Sequence, residues 1–526
     1  MRPLASPPPA DDPALRAAYA EGAGIYRIVP QAVAVPASLP ELRALVEWAA
    51  AGAATLIPRG AGSGMPGGNV GAGVIVDCTQ GFRGVTVDAG RRIARAGAGA
   101  TWKEVNDAAF ALGLRLPPDP SSGAFATSGG MIATNAAGPR TVRAGSVRRW
   151  VESVEIVDAS GRARTLRRGG GPGPLRLDPD RVARAAGAFP RTRKSSSGYA
   201  VDEFARSGDE LDLLIGSEGT LAFVTAVEWR LEPLPAQVAG VALGFGDLDA
   251  LGEAVPYLLS LAPSAVELLD HTLLSFVQAP GLPSGLACLL LVEFERDTQA
   301  QARGVVGDAV RGLKGITRHV QTAVDRRDLE ELWSVRRLAS PALARLPETR
   351  RSLQVVEDGC VPVERLAEYV SGVRGAARRQ ALEITVFGHA GDGHVHVNVL
   401  PDLTTDDWRP RLEALYGEVA DLLTTLRGTP SGEHGDGRLR AGLLPRIFGS
   451  ETMELFAEIK RAYDPAGCLN PGVIIPAAGW RPISHLKVGP DAAPIPSEIA
   501  GKLRRIEREA GWSVPKSSLA TLTPDP

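Results

Sequence analysis

The stretch that most constrains this chain is Pro58-Arg59-Gly60-Ala61-Gly62-Ser63-Gly64-Met65-Pro66-Gly67-Gly68-Asn69, set between the apolar runs Thr55-Leu56-Ile57 and Val74-Ile75-Val76. Five glycines in a dozen residues let consecutive backbone N–H groups turn inward, because no Cβ blocks a bound anion. It reads as a phosphate-cradling loop between two strands. Alone it is weak evidence, since Gly-rich turns between strands are common.

The neighbouring sequence places the loop in an α/β context. Val33-Ala34-Val35 predicts a strand, and Ser38-Leu39-Pro40-Glu41 a capping box opening a helix with Leu42, Leu45, Val46 and Ala49 on its apolar face. Thr101-Trp102-Lys103-Glu104 repeats the capping pattern. A second cluster of small residues, Thr127 to Gly138, follows the Pro-rich turn Pro117 to Ser122 and lets a flat or extended ligand lie against backbone. Trp150 to Val157 and Arg162 to Leu166 predict a hairpin, and Gly216-Ser217-Glu218-Gly219 a third glycine turn before a domain edge at Pro233-Leu234-Pro235.

From Val238 to about Leu426, strands and helices alternate, which predicts a sheet backed by helices on one face and built from two similar βαβ units. Here lies Phe387-Gly388-His389-Ala390-Gly391-Asp392-Gly393-His394-Val395-His396-Val397-Asn398-Val399. In a strand His394, His396 and Asn398 share one face and the valines the other. A second polar loop, Ser431 to Gly437, carries Glu433 and His434 between glycines. Four of the seven histidines fall in these two loops, and His389, His396 and Glu433 make a two-imidazole, one-carboxylate set suited to Zn²⁺ or a similar divalent ion. Spacing alone does not settle which histidines ligate.

At 526 residues two or three domains are expected, and a net charge of -2 gives no reason to invoke nucleic acid. No run of eighteen apolar residues appears, so no transmembrane segment is expected, though peripheral attachment at the inner membrane face stays open. Met1 to Pro13 lacks the apolar core of a secretory signal, and four scattered cysteines without a CxxC pair argue against an iron–sulfur cluster and fit a cytoplasmic location. No histidine precedes His271, so a flavin held by the first half would not be histidyl-linked and should be non-covalent.

Taken together, PRGAGSGMPGG, SGGMIATNAAG, GSEGTLAFVTAV, FGHAGDGHVHVN, SGEHGDG and Asp464 to Gly472 resemble the flavin-dependent oxidoreductases with a vanillyl-alcohol-oxidase-type (PCMH) FAD domain, and more narrowly the D-2-hydroxy-acid dehydrogenase branch. The resemblance runs from about Ala32 to Ile475. It implies an α+β fold with a two-subdomain FAD-binding domain over 25–236 and a ferredoxin-like substrate and metal domain over 237–476. A C-terminal segment completes the site, a 1–24 extension precedes these domains, and a 477–526 tail with one short helix follows them.

The resemblance puts FAD against Pro58, Arg59, Gly60, Ala61, Gly62, Ser63, Gly64 and Met65 at the pyrophosphate, and against Pro118, Ser121, Thr127, Gly129, Gly130, Ala133, Thr134, Asn135, Gly138, Glu218, Gly219, Val224 and Asn470 elsewhere. It makes His389, His396 and Glu433 the metal ligands, zinc being the expected ion, and His434 the base. Arg336, Ser340 and Asn398 become substrate contacts. The reaction implied is oxidation of a D-lactate, glycolate or D-2-hydroxyglutarate class acid to the 2-keto acid, with hydride passing to flavin N5. Electrons would then go to a quinone, cytochrome, electron-transfer flavoprotein or iron–sulfur protein.

Two positions depart from the pattern: His394 stands where many relatives have Asn, and Val356 near where the hydroxyglutarate-oxidising relatives place a Lys. A helix near Glu498 to Gly511 is expected to pack on the body through Ile499, Leu503 and Ile506, and a homodimer is left open. The competing readings are an FAD-carrying electron-transfer subunit and an FAD oxidase acting on another alcohol.

Overall fold

The protein is described here by a computed structural model covering residues 9–277 and 282–520. The reading of Met1 to Pro13 as lacking an export signal therefore falls outside the described residues up to residue 8.

Three strands, β1 (Ala32–Ala34), β2 (Leu56–Arg59) and β3 (Val74–Asp77), form a parallel sheet in the order β1-β3-β2. The helix Leu39–Trp48 between β1 and β2 buries Leu42, Leu45 and Val46 on one side, as its period demands. Its start differs in detail from a capping box. Ser38 caps no backbone N–H, and Glu41 reaches back to Ala37 N (2.9 Å) and Ser38 Oγ (3.2 Å). Thr101 and Glu104 do form the reciprocal box that starts helix Trp102–Phe110.

Next come β4 (Val85–Asp88), β5 (Ile93–Gly97), β6 (Leu114–Arg115), β7 (Val151–Asp158), β8 (Ala163–Arg167), β9 (Ala222–Arg230) and β10 (Glu232–Pro233). Five of them make an antiparallel sheet in the order β4-β5-β9-β7-β8, and the predicted hairpin is β7-β8. β6 pairs with β10, tying the domain edge back to the first half.

The second half is organised by β11 (Gln237–Phe245), β12 (Ala265–Asp270), β13 (Cys288–Arg296), β14 (Thr317–Ala323), β15 (Ile384–Gly388) and β16 (His396–Val399). Their order is β14-β11-β13-β12-β15-β16, antiparallel throughout. The first four strands follow the ferredoxin-like 4-1-3-2 order, and β15 and β16 extend the β12 edge. Helices Leu251–Ser260, Gln299–Gly312, Leu366–Arg379 and Trp408–Thr425 cover one face. The expectation of helices on one face only is corrected. Helices His271–Val277, Arg326–Arg337 and Ala339–Ala344 pack against Leu269, Leu289, Leu291 and Phe387 on the other, because those alternate positions are apolar too.

The chain then returns to the first half, where helix Leu444–Tyr463 packs Phe448, Phe456 and Ile459 against Tyr199, Phe204 and Leu221. The short helix Pro13–Ala18 and the tail helix Ser497–Glu509 pack together over β1–β3, with Ile499, Leu503 and Ile506 buried. No helix among the described residues is long and apolar enough to cross a membrane.

Candidate active site

Glycine conformation shapes the first wall of the site. Gly62 adopts φ +81°, and a Cβ there would sit 2.5 Å from the Arg59 guanidinium folded beneath the loop. Arg59 donates to the main-chain oxygens of Tyr19 (3.1 Å) and Glu21 (2.6 Å), so its side chain braces the loop on residues 19–21 instead of facing a ligand. From Ala61 to Met65 no backbone N–H donates to a protein acceptor among the described residues. That leaves a row of donors facing a cavity of ≈ 1030 Å³, the arrangement an anionic pyrophosphate requires.

Every residue from Pro58 to Met65 lines this cavity, as do Ser121, Thr127, Gly129, Gly130, Ala133, Thr134, Glu218, Gly219 and Val224. Four others stand behind the wall. Pro118 accepts the Trp102 indole N–H, Asn135 ends helix Ser128–Thr134 in the left-handed conformation, and Gly138 leaves no space for a Cβ beside the Asp119 carbonyl. Asn470 donates to the main-chain oxygens of Gly68 and Glu218, both at 2.9 Å, and so clamps two of the glycine turns together. Cavity size and donor row both fit FAD.

The second half closes the far side of the cavity with Arg336, Ser340, Asn398, His396, Glu433 and His434. β16 supplies His396 and Asn398, while Val397 and Val399 turn into the core. Ser352 Oγ donates to Asn398 Oδ1 at 2.9 Å, which fixes the amide with its NH₂ unpaired among the described residues. The loop bearing Glu433 and His434 is held by Asp358. This fully buried carboxylate accepts from Ser431 Oγ (2.7 Å), Glu433 N (3.3 Å) and His434 N (2.9 Å).

His389 donates Nδ1–H to Glu267 Oε1 at 2.5 Å, turning Nε2 to within 3.0 Å of Glu433 Oε1. His396 donates Nδ1–H to the Glu357 carbonyl at 3.3 Å and brings Nε2 to 3.3 Å from the same oxygen. Two imidazole nitrogens thus converge on one carboxylate oxygen, and tetrahedral zinc with bonds of about 2.0–2.2 Å spaces its donors by about 3.3 Å. The other carboxylate oxygen, Oε2, takes the buried Lys194 ammonium at 2.7 Å. The donor set fits a divalent ion, and the Glu267–His389 bond is the supporting contact such ligands usually have.

His434 gives Nδ1–H to both oxygens of Glu357 (2.9 and 3.0 Å), leaving Nε2 without a hydrogen bond among the described residues. Burial pulls its pKa down, but the Glu357 and Asp358 charges outweigh this and push it up to about 10. Glu357 in turn is paired with Arg440, fully buried beside it. Burial likewise opposes the high pKa of His389, about 9, which Glu267 and Glu433 sustain. Against burial, Lys194 and His389 hold Glu433 well below the usual carboxylate range.

Arg336 spends Nε on Glu267 Oε2 (2.8 Å) and packs over the Phe387 ring, its Cζ 5.0 Å from the centroid. Among the described residues its two terminal nitrogens have no partner, which leaves a forked donor toward the cavity.

Sequence reasoning missed Glu267, Glu357, Asp358, Lys194 and Arg440, all buried around these side chains. The signal for Glu267 was a lone charge inside the apolar run Ala265-Val266-Glu267-Leu268-Leu269. For Glu357-Asp358 it was an acidic pair following Val355-Val356. The tail was not expected to reach the site either, yet Arg504, Glu507 and Trp512 line the cavity, with Glu507 bonded to Arg351 at 2.5 Å.

Residues 30–167 match the family described as FAD binding domain, and residues 234–474 the family described as FAD linked oxidases, C-terminal domain. The chain is similar to the D-lactate dehydrogenase of Archaeoglobus fulgidus, 32% identical over 451 residues that cover 84% of this chain and 91% of that protein. It is 28% identical to the glycolate oxidase subunit GlcD of Bacillus subtilis, covering 85% and 89%. With the D-2-hydroxyglutarate dehydrogenase of Xanthomonas citri pv. viticola it shares 29% identity, covering 84% and 89%. A solved structure of alkyldihydroxyacetonephosphate synthase superposes with TM-score 0.62 at 16% identity over 88% of this chain and 82% of that one, which shows a common fold.

Proposed function

The chain belongs to the FAD-linked oxidases, a family of oxidoreductases, and from that premise we propose that it oxidises a D-2-hydroxy acid of the D-lactate, glycolate or D-2-hydroxyglutarate class to the 2-keto acid. The observation that carries this reading is that the lining of one cavity brings together His396 and Glu433, which with His389 could hold an ion, the carboxylate-held His434 and the Arg336 fork.

When bound, FAD supplies the acceptor for the C2 hydrogen with its electron pair, and a divalent ion, zinc by donor chemistry, supplies the charge that lowers the hydroxyl pKa. His389, His396 and Glu433 would hold that ion, with Lys194 fixing the Glu433 carboxylate by its second oxygen. Arg336 takes the substrate carboxylate on its terminal nitrogens, and the Asn398 amide, oriented by Ser352, hydrogen-bonds the substrate beside it. His434 Nε2 removes the hydroxyl proton, while Glu357 keeps the other nitrogen protonated and the ring in place. Glu433 Oε1 lies 3.7 Å from His434 Nε2 and helps raise the His434 pKa, so neutralising that carboxylate with a bound ion would let Nε2 serve as a base.

Reoxidation falls to a separate acceptor of the quinone, cytochrome, electron-transfer flavoprotein or iron–sulfur class, in the cytoplasm or at the inner membrane face. The test is a panel of small 2-hydroxy acids of both hands, assayed with an artificial dye. Dye reduction by D-acids or glycolate supports the reading, and reduction by L-acids alone or by none overturns it.

A further inference from the structure

Each of the three clustered imidazoles has one ring nitrogen held by an acceptor outside the His389, His396 and Glu433 set. His389 and His396 give Nδ1–H to Glu267 and to the Glu357 carbonyl, so in both Nε2 is the nitrogen turned inward, meeting Glu433 Oε1 at 3.0 and 3.3 Å. His394 is arranged the other way round. Its Nε2 lies 2.8 Å from Asp358 Oδ1, and its Nδ1 has no hydrogen-bond partner among the described residues although the side chain is wholly buried. Since Asp358 also accepts from Ser431 Oγ and two backbone N–H groups, it acts as acceptor to His394 too, which puts the proton on Nε2 and the lone pair on Nδ1.

A buried acceptor with no donor is costly, so an orphan lone pair on a ring packed beside His389 and His396 needs an occupant. The ring cannot readily turn away to find one. A Cβ on Gly432 would meet His394 Cδ2 at 2.6 Å, so only glycine lets that loop pass against the imidazole. The His394 ring centroid lies 5.3 Å from that of His389 and 4.7 Å from that of His396. One donor atom from each of His389, His394, His396 and Glu433 lies within 4.8 Å of the other three.

Resting on the proposed ion site, we propose that His394 is a further protein ligand through Nδ1, which makes the centre a three-imidazole, one-carboxylate set. Asp358 then does for His394 what Glu267 does for His389: it fixes the tautomer and aims the lone pair. Such a nitrogen-rich set selects Zn²⁺ or Co²⁺ over the oxygen-preferring Mg²⁺ and Mn²⁺.

The test uses the full FAD-loaded chain, stripped of metal and reloaded with Zn²⁺, and compares it with His394→Ala and His394→Gln. Zinc-edge X-ray absorption counts imidazole ligands, competition with a chromophoric chelator gives affinity, and flavin content reports folding. Three imidazoles are expected in the unmodified protein and two in each variant, with Zn²⁺ bound about tenfold or more weakly by the variants.

Two imidazoles in the unmodified protein, or unchanged affinity in flavin-loaded variants, overturns the inference, and the first result needs no variant to fold. If that two-imidazole protein still oxidises D-2-hydroxy acids in a Zn²⁺-dependent way, the inference fails alone. If the unmodified chain takes up no divalent ion, the inference fails and the metal part of the proposed function fails with it.

Discussion

Replacing Arg336 by Lys is the substitution whose size the structure lets one work out. Arg336 is nearly buried and bonds Glu267 through Nε, so the guanidinium satisfies that buried carboxylate and still presents two parallel N–H donors. Burial would raise the Glu267 pKa, but His389 and Arg336 outweigh it and hold it at about 2, so the anion demands a partner at every working pH. A lysine ammonium is a single point of charge and cannot span Glu267 and both oxygens of a substrate carboxylate. The substitution therefore removes at least one charge-assisted hydrogen bond, about 1.5–3 kcal/mol, or roughly a 10- to 150-fold loss in kcat/KM. Anaerobic flavin bleaching against D-lactate concentration measures it, with flavin content unchanged. Lactamide, which lacks the carboxylate, should be used equally poorly by both proteins. Near-normal kcat/KM with D-lactate, or an equal loss on the amide, would refute the reasoning.

Three further outcomes are expected. His434→Ala should slow flavin reduction by roughly 10²- to 10⁴-fold while FAD stays bound, and stopped-flow bleaching with substantial residual rate would remove His434 from the base role. Gly219→Ala forces a side chain into φ +70° with its Cβ 2.7 Å from Pro58 Cγ. It should cost about 1–3 kcal/mol in flavin retention, read as the FAD content of purified protein. Glu218 has its pKa pushed up to about 8 by burial and by Asp436, against the backbone N–H groups it accepts. Its folded pKa lies above its unfolded one, so the stabilisation is complete below about pH 4.5 and lost as pH rises through about 8. Denaturant unfolding of Glu218→Gln should lack that decline between those limits, and parallel pH profiles would contradict the assignment.

Local pattern made much of the architecture readable, because each signal needs only neighbouring residues. The capping box at Thr101, the β7-β8 hairpin and the alternation of His396 and Asn398 with Val397 and Val399 are all of this kind. The glycine stretch from Pro58 to Met65 lines the cavity. What stayed hidden depends on pairing across long separations. Nothing near Arg59 says that its guanidinium braces residues 19–21, and nothing near Lys194 says that its ammonium crosses to Glu433. Helices on both faces of the second sheet were missed because positions 269, 289, 291 and 387 read as ordinary strand hydrophobes until helices Arg326–Arg337 and Ala339–Ala344 are seen against them. The near-continuous apolar runs of β12 and β13, where a one-sided sheet would alternate with polar residues, were the signal for a second buried face.

The central claim is that the amino-terminal half grips FAD and the carboxyl-terminal half presents an ion-assisted alcohol to it. The most direct measurement is the visible spectrum of the purified chain, titrated anaerobically with D-lactate, glycolate and D-2-hydroxyglutarate, before and after chelation and metal restoration. A yellow protein is expected, bleached by at least one of these acids, losing that response on chelation with its flavin still bound, and regaining it with Zn²⁺. A folded protein that is colourless and cannot take up FAD, or one whose flavin bleaches equally well after verified metal removal, would contradict the account.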